Sequence, residues 1–172
     1  MSIQGKKLNK LHSFHLFLSV LICGPPGSGK TFLAHKFIEH HRIPCIYVRG
    51  PEILDKYVGA SERGVRDLFS RARNLKPCVI FFDEIDSLVP KRGSNQSGVT
   101  DRIVNQFLTE LDGTEDRSGV FIIATTSRPD LIDRAIVRPG RIDQKIILDY
   151  PNSEEVKKVE KSLTFLFLLK FT

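Results

Sequence analysis

Gly24-Pro25-Pro26-Gly27-Ser28-Gly29-Lys30-Thr31 is the stretch on which the reading of this chain turns. It fits GxxxxGK[ST], follows an apolar segment and opens a segment with helical spacing. A phosphate-binding loop requires that context. Its glycines let successive backbone N–H groups turn inward at a helix N-terminus, where they form an anion nest. Gly24, Pro25, Pro26, Gly27, Ser28 and Gly29 supply the loop, Lys30 adds a full charge for β/γ-phosphates, and the Thr31 hydroxyl suits Mg²⁺. The competing reading is a tight turn that merely caps a helix.

Outward from this loop, short apolar runs alternate with helical patterns, the sign of an α/β fold on a parallel sheet. Five strands are predicted, at 19–23, 45–49, 78–82, 120–125 and 145–149. Several are apolar at successive positions, as strands covered on both faces should be. A helix over 30–40 would place Leu33, Ala34, Phe37 and Ile38 on one face. A second, over 62–74 and capped by Ser61, would bury Val65, Leu68, Phe69 and Ala72. A third, over 101–111, would be capped by Thr100, bury Ile103, Val104, Phe107, Leu108 and Leu111, and end at Gly113. A short helix is expected over 131–137. The organisation expected is a lead at 1–17, one core domain at 18–151 and a tail at 152–172.

The strand Val79-Ile80-Phe81-Phe82 ends in Asp83-Glu84, about 50 residues beyond the loop. Such a pair supports phosphoryl chemistry: Asp83 would hold Mg²⁺, and Glu84 would orient and deprotonate an attacking water. Asp86 reads as a helix cap or a subunit-contact residue rather than a metal ligand. Arg138-Pro139-Gly140-Arg141 has two readings, a bland surface turn or a rigid pair stabilising transferred phosphoryl charge. Ser127 is either an ordinary turn serine or a polar contact for the γ-phosphate or the water. In Lys56-Tyr57-Val58-Gly59, the exposed tyrosine taken alone is a local packing residue. His12, His15, His35, His40 and His41 show no metal spacing, and the last two suit a helix C-terminal dipole.

Composition narrows the classes. The 172 residues are 41% hydrophobic and 27% charged, as in an ordinary globular domain, and 12 glycines with 9 prolines exclude a collagen-like chain. Three cysteines (Cys23, Cys45, Cys78) without CxxC spacing argue against a disulfide scaffold or zinc site and read as inert, reduced thiols. The apolar run 11–23 behind Lys6, Lys7 and Lys10 mimics a signal peptide, but no small-residue cleavage site follows it. The run 163–169 falls far short of the roughly 20 residues that cross a bilayer. A soluble chain is expected.

The GPPGSGKT, KYVGASE, FFDEID and SRPD…RPGRID segments, together and in this spacing, resemble the AAA ATPases over about 20–151. The resemblance implies a P-loop NTPase with sheet order 5-1-4-3-2, ATP and Mg²⁺ as cofactors, and a ring, usually hexameric. It makes Arg138 and Arg141 the arginine fingers that reach a neighbour's nucleotide. It makes Tyr57, with Lys56, Val58 and Gly59, the pore loop that grips a polypeptide substrate. Ser127 falls at the first sensor, which is Asn in most relatives. Lys76-Pro77-Cys78, Gly98–Arg102 and Thr126–Asp130 look like the peroxisome-biogenesis members of the family. That likeness implies protein transport: a cytoplasmic hexamer, peripheral at the peroxisomal membrane and touching it only through partners. It would alternate with a second peroxisome-biogenesis subunit and extract ubiquitinated import receptors.

Two departures from the family pattern are expected to matter. Only 21 residues follow Pro151, and 161–172 does not read as the helical lid that covers adenine, so the lid is expected to be missing. The lead also lacks the linker that helps hold adenine. A rival reading is therefore a nucleotide- or partner-binding fragment, without turnover, of an AAA protein of another pathway. Nucleic-acid remodelling draws only on the +6 net charge, spread along the chain without an aromatic-interleaved basic stripe, and direct nucleic-acid binding is not expected.

Overall fold

The computed structural model describes residues 19–50, 61–91, 98–113 and 119–152. Five strands form one sheet: β1 (Ser19–Cys23), β2 (Cys45–Arg49), β3 (Cys78–Asp83), β4 (Val120–Thr126) and β5 (Gln144–Ile147). Their order is β2-β3-β4-β1-β5 and every pairing is parallel, so the expected order 5-1-4-3-2 holds. Parallel strands send all their C-terminal ends to one edge, where Asp83 ends β3 and the 24–31 loop follows β1.

Three helices cover the sheet: α1 (Lys30–His41), α2 (Ser61–Asn74) and α3 (Gly98–Asp112). Side chains alternate across β3 and decide which face each helix meets. Val79 and Phe81 pack with Ala34 and Ile38 of α1. Cys78, Ile80 and Phe82 pack with Val65, Phe69, Ile103 and Phe107 of α2 and α3. Covered on both faces, β3 is buried from Cys78 through Phe82, which is why its sequence is apolar without alternation.

The two faces differ in depth, and the helical stripes reflect it. On the α2/α3 face each helix packs against the sheet and against the other helix. A broad stripe is thereby buried: Val65, Phe69 and Ala72 on α2, and all five expected residues on α3. On the other face α1 packs on β3 and β4. Ala34 and Ile38 are buried, whereas Leu33 and Phe37, one residue back on the helix and about 100° round it, are 42% and 39% exposed. The four-residue face expected for α1 is therefore halved. Phe37 stacks instead on His41 of its own helix, with ring centroids 4.3 Å apart.

Other boundaries also move. α3 starts at Gly98, so Thr100 lies in its first turn rather than at a cap; there, with Asp101, it sits among the helix's free N–H groups. The helix expected over 131–137 is a 3₁₀ turn, Pro129–Leu131, followed by turns. Long-range bonds explain this difference. The Leu131 carbonyl accepts from Lys91 N–H at 2.6 Å and Asp133 N–H donates to the Val89 carbonyl at 3.0 Å, so backbone groups that a helix needs are already engaged. β5 runs 144–147 rather than 145–149 and is exposed at all four positions.

Among the described residues no helix is long and apolar enough to cross a membrane, and no three His, Cys, Asp or Glu residues cluster as metal ligands. Cys23, Cys45 and Cys78 are free thiols, each held above the ordinary thiol pKa first by burial, which disfavours the reactive thiolate.

Candidate nucleotide site

The loop between β1 and α1 owes its shape to glycine: Gly27 and Gly29 have φ of 80° and 87°, where a β-carbon would be strained. Gly29 is the N-cap of α1 and brings no side chain to its first N–H groups. α2 and α3 carry Glu62 and Asp101 in their first turns, but α1 carries no acid there. Its N-terminus is thus left positive and unneutralised by its own helix. Lys30 is only 8% exposed, and its ammonium donates to the Pro25 carbonyl at 2.7 Å. A buried charge facing a neutral oxygen is incompletely compensated and suits an anionic ligand. The Ser28 hydroxyl oxygen is buried and has no hydrogen-bond partner among the described residues. An orphaned hydroxyl, a buried ammonium and a left-handed glycine turn fit a polyphosphate.

Opposite the loop, Asp83 closes β3. Its Oδ1 accepts from the Thr31 hydroxyl at 3.0 Å and from the Thr125 hydroxyl at 2.5 Å, while Oδ2 accepts from the Tyr47 hydroxyl at 3.0 Å. Helix α1 and strands β2 and β4 therefore converge on one carboxylate. Hard oxygen donors on Thr31 and Asp83, side by side, suit Mg²⁺, and the residues fit the metal as they fit the phosphates. Burial pushes the Tyr47 phenol above its ordinary pKa; Arg49 opposes that through a hydrogen bond and Asp83 adds to it.

Glu84 follows with φ of 55°, a left-handed conformation at a non-glycine residue. Local bonds hold it: its N–H donates to the Thr125 hydroxyl at 3.3 Å, and its carbonyl accepts from the Ser87 hydroxyl at 2.7 Å. The turn ends the strand and leaves the Glu84 side chain exposed. Asp86 lies in the first turn of the 3₁₀ helix Ile85–Ser87, whose cap is Glu84. It is 7% exposed, accepts from the Thr126 hydroxyl at 2.8 Å, and receives Arg128 through Nε at 3.1 Å and Nη2 at 2.8 Å. This link ties the end of β4, and Ser127 between its two partners, to the turn that carries Glu84. Ser127 is half-buried immediately beyond β4.

The two arginines of the 138–141 turn differ. Arg138 is exposed. Arg141 forms a forked pair with Asp112 (Nε–Oδ1 2.7 Å, Nη2–Oδ2 2.9 Å), and its Nη1 donates to the Ala135 carbonyl at 2.5 Å. The Asp112 hydrogen bond stabilises the guanidinium charge. Arg141→Ala should therefore lower stability by about 1.5–3 kcal/mol, the range for hydrogen bonds to charged groups. Arg138→Ala should stay within about 0.5 kcal/mol of the parent. Urea midpoints of the two variants test this difference; equal midpoints would contradict it.

The pore-loop residues Lys56, Tyr57, Val58 and Gly59 lie outside the described residues. Thr125, Tyr47 and the Asp86–Arg128 pair were missed from sequence. A signal existed for Thr125, a hydroxyl closing the apolar run Val120–Ala124 at the ligand-binding edge of a parallel sheet.

The sequence profile of the ATPase family associated with various cellular activities (AAA) matches residues 20–150, from β1 to just beyond β5. The chain belongs to the AAA ATPase family. Among curated AAA relatives it is 54% identical, over 86% of its length, to the peroxisomal ATPase pex1 of Schizosaccharomyces pombe. It is 53% identical over 87% to the peroxisomal ATPase PEX1 of Dictyostelium discoideum. It is also 52% identical over 84% to the ribosome biogenesis ATPase RIX7 of Saccharomyces cerevisiae. The chain spans only 16%, 12% and 17% of these three relatives. Two percentage points separate AAA relatives named for different pathways, so identity over this domain does not choose between them.

Proposed function

We propose that this AAA domain binds and hydrolyses Mg-ATP as part of a ring that threads a polypeptide substrate. The observation that carries the reading is the meeting of Thr31 and Asp83, 3.0 Å apart, beside the buried Lys30 ammonium. Lys30, Ser28 and the N–H groups of the 24–31 loop bind the phosphates. Thr31 and Asp83 hold Mg²⁺, which when bound offsets phosphoryl charge. Glu84 orients the attacking water and takes its proton, and Ser127 contacts the γ-phosphate. Arg138 acts on a neighbour's nucleotide; Arg141 can share that role only by giving up its Asp112 pair. Lys56, Tyr57, Val58 and Gly59 grip the substrate.

On the likeness to the two peroxisomal ATPases, the pathway proposed is peroxisome biogenesis. There the chain would act as a counterpart of peroxisome biogenesis factor 1, at the cytoplasmic side of the peroxisomal membrane. It would alternate with peroxisome biogenesis factor 6 in a hetero-hexamer that extracts import receptors. The 52% identity to the ribosome biogenesis ATPase supports a second reading, an AAA module of another pathway.

ATP turnover measured against protein concentration tests the enzymatic reading. The specific rate should climb as subunits meet, because Arg138 serves a neighbouring site, and Arg138→Ala should flatten the curve. Nucleotide binding with a rate of zero at every concentration would instead mark a binding module. Stimulation by added peroxisome biogenesis factor 6, and none by an unrelated AAA subunit, would favour the peroxisomal pathway over the second reading.

A further inference from the structure

Tyr47 lies on β2, the edge strand next to β3, where its register partner is Phe81 and that of Arg49 is Asp83. Parallel partners share a face, so Tyr47 sits diagonally from Asp83 on the α1 side of the sheet. Its ring is fixed by neighbours: His35 and Phe81 each lie 5.3 Å away, and the Arg49 guanidinium stands 5.6 Å from its centroid. Arg49 Nε donates to the phenol oxygen at 3.2 Å. Arginine accepts nothing, so the single phenolic proton is directed to Asp83 Oδ2, 3.0 Å away. Thr31 and Thr125 both address Oδ1, which makes Tyr47 the one described donor to the other oxygen.

We propose that Tyr47, aimed by Arg49, is a positioning residue that fixes the Asp83 carboxylate for divalent-metal binding. This inference rests on the Mg-ATP reading of the site. Without the phenol, Asp83 keeps its Oδ1 partners but can swing Oδ2 away, so the site must order the carboxylate when the metal arrives. Groups that orient a metal-holding carboxylate are typically worth 10- to 100-fold in metal affinity. Two other hydroxyls also hold Asp83, which places the effect near the lower end, about tenfold.

The test is Tyr47→Phe in the full chain, which keeps the ring packing and removes only the hydroxyl. ATP affinity would be measured with Mg²⁺ and with EDTA, alongside the Mg²⁺ midpoint at fixed ATP. The affinity gained from Mg²⁺ should fall about tenfold and the Mg²⁺ midpoint should rise by the same factor, while affinity in EDTA and the melting temperature stay put. An unchanged gain, or an equal loss with and without Mg²⁺, would overturn the proposal. A parent chain that gains nothing from Mg²⁺ would sink the Mg-ATP reading itself, and this inference with it.

Discussion

Glu84→Gln is expected to leave ATP affinity within about twofold of the parent and to lower turnover by roughly 10²- to 10⁴-fold, the usual worth of a general base. The substitution is isosteric and the residue is exposed, so nothing in the packing has to move. What places Glu84 is its backbone, through the Thr125 and Ser87 bonds, and those bonds do not involve its carboxylate. In the proposed reading, phosphate binding belongs to Lys30 and the glycine loop on the other side of the site. Binding and turnover should therefore separate cleanly in this variant. Phosphate release beside equilibrium nucleotide binding reads both quantities. Turnover equal to the parent's would remove the proton-accepting role from Glu84.

Phe107→Ala should cost about 3–5 kcal/mol of stability, the range for truncating a buried aromatic. Phe107 is fully buried on α3 and meets two other rings edge-on, Phe69 of α2 at 5.8 Å and Phe82 of β3 at 5.1 Å. Those contacts hold α2 and α3 to β3. Removing the ring leaves a cavity between three elements that cannot collapse independently. Domains of this size are stable by about 5–15 kcal/mol in total, so the loss is a large share of it. A denaturant titration measures the effect, and a loss under about 1.5 kcal/mol would mean that the neighbouring rings close the gap. Because Phe82 immediately precedes Asp83, weakened nucleotide binding should accompany the destabilisation.

Legibility in the sequence followed the strength of local signals. β1 and β2 match the expected bounds to the residue and β3 and β4 to within one. For β1, β3 and β4 the reason is burial on both faces, which leaves an unbroken apolar run, whereas β2 is a short edge strand set off by the turn residues on either side. The glycine loop at 24–31 and the Asp83–Glu84 strand end stand out in the sequence because the chemistry proposed for them needs set residue types at set spacing. The α1 face is narrower than its sequence suggests, since the periodicity of Leu33, Ala34, Phe37 and Ile38 shows amphipathicity but not how much of it the fold covers. The 131–137 segment reads as a helix because no local signal reveals that residues 89–91 claim its backbone.

Residue type and spacing determined the α/β class, the glycine loop at 24–31 and the acidic strand end, and the likeness of four motifs to known proteins pointed to the AAA family. Each rests on near neighbours in the chain, whose conformational preferences act without the rest of the fold. The tertiary structure decided what each polar side chain does. Asp86 became an internal anchor for Arg128, Arg141 was drawn into the Asp112 pair, and three hydroxyls from β2, α1 and β4 met on Asp83. A hydrogen bond depends on angstrom-scale approach between segments that stand 29 to 52 residues apart in these pairings. Only packing of the sheet against its helices creates that approach.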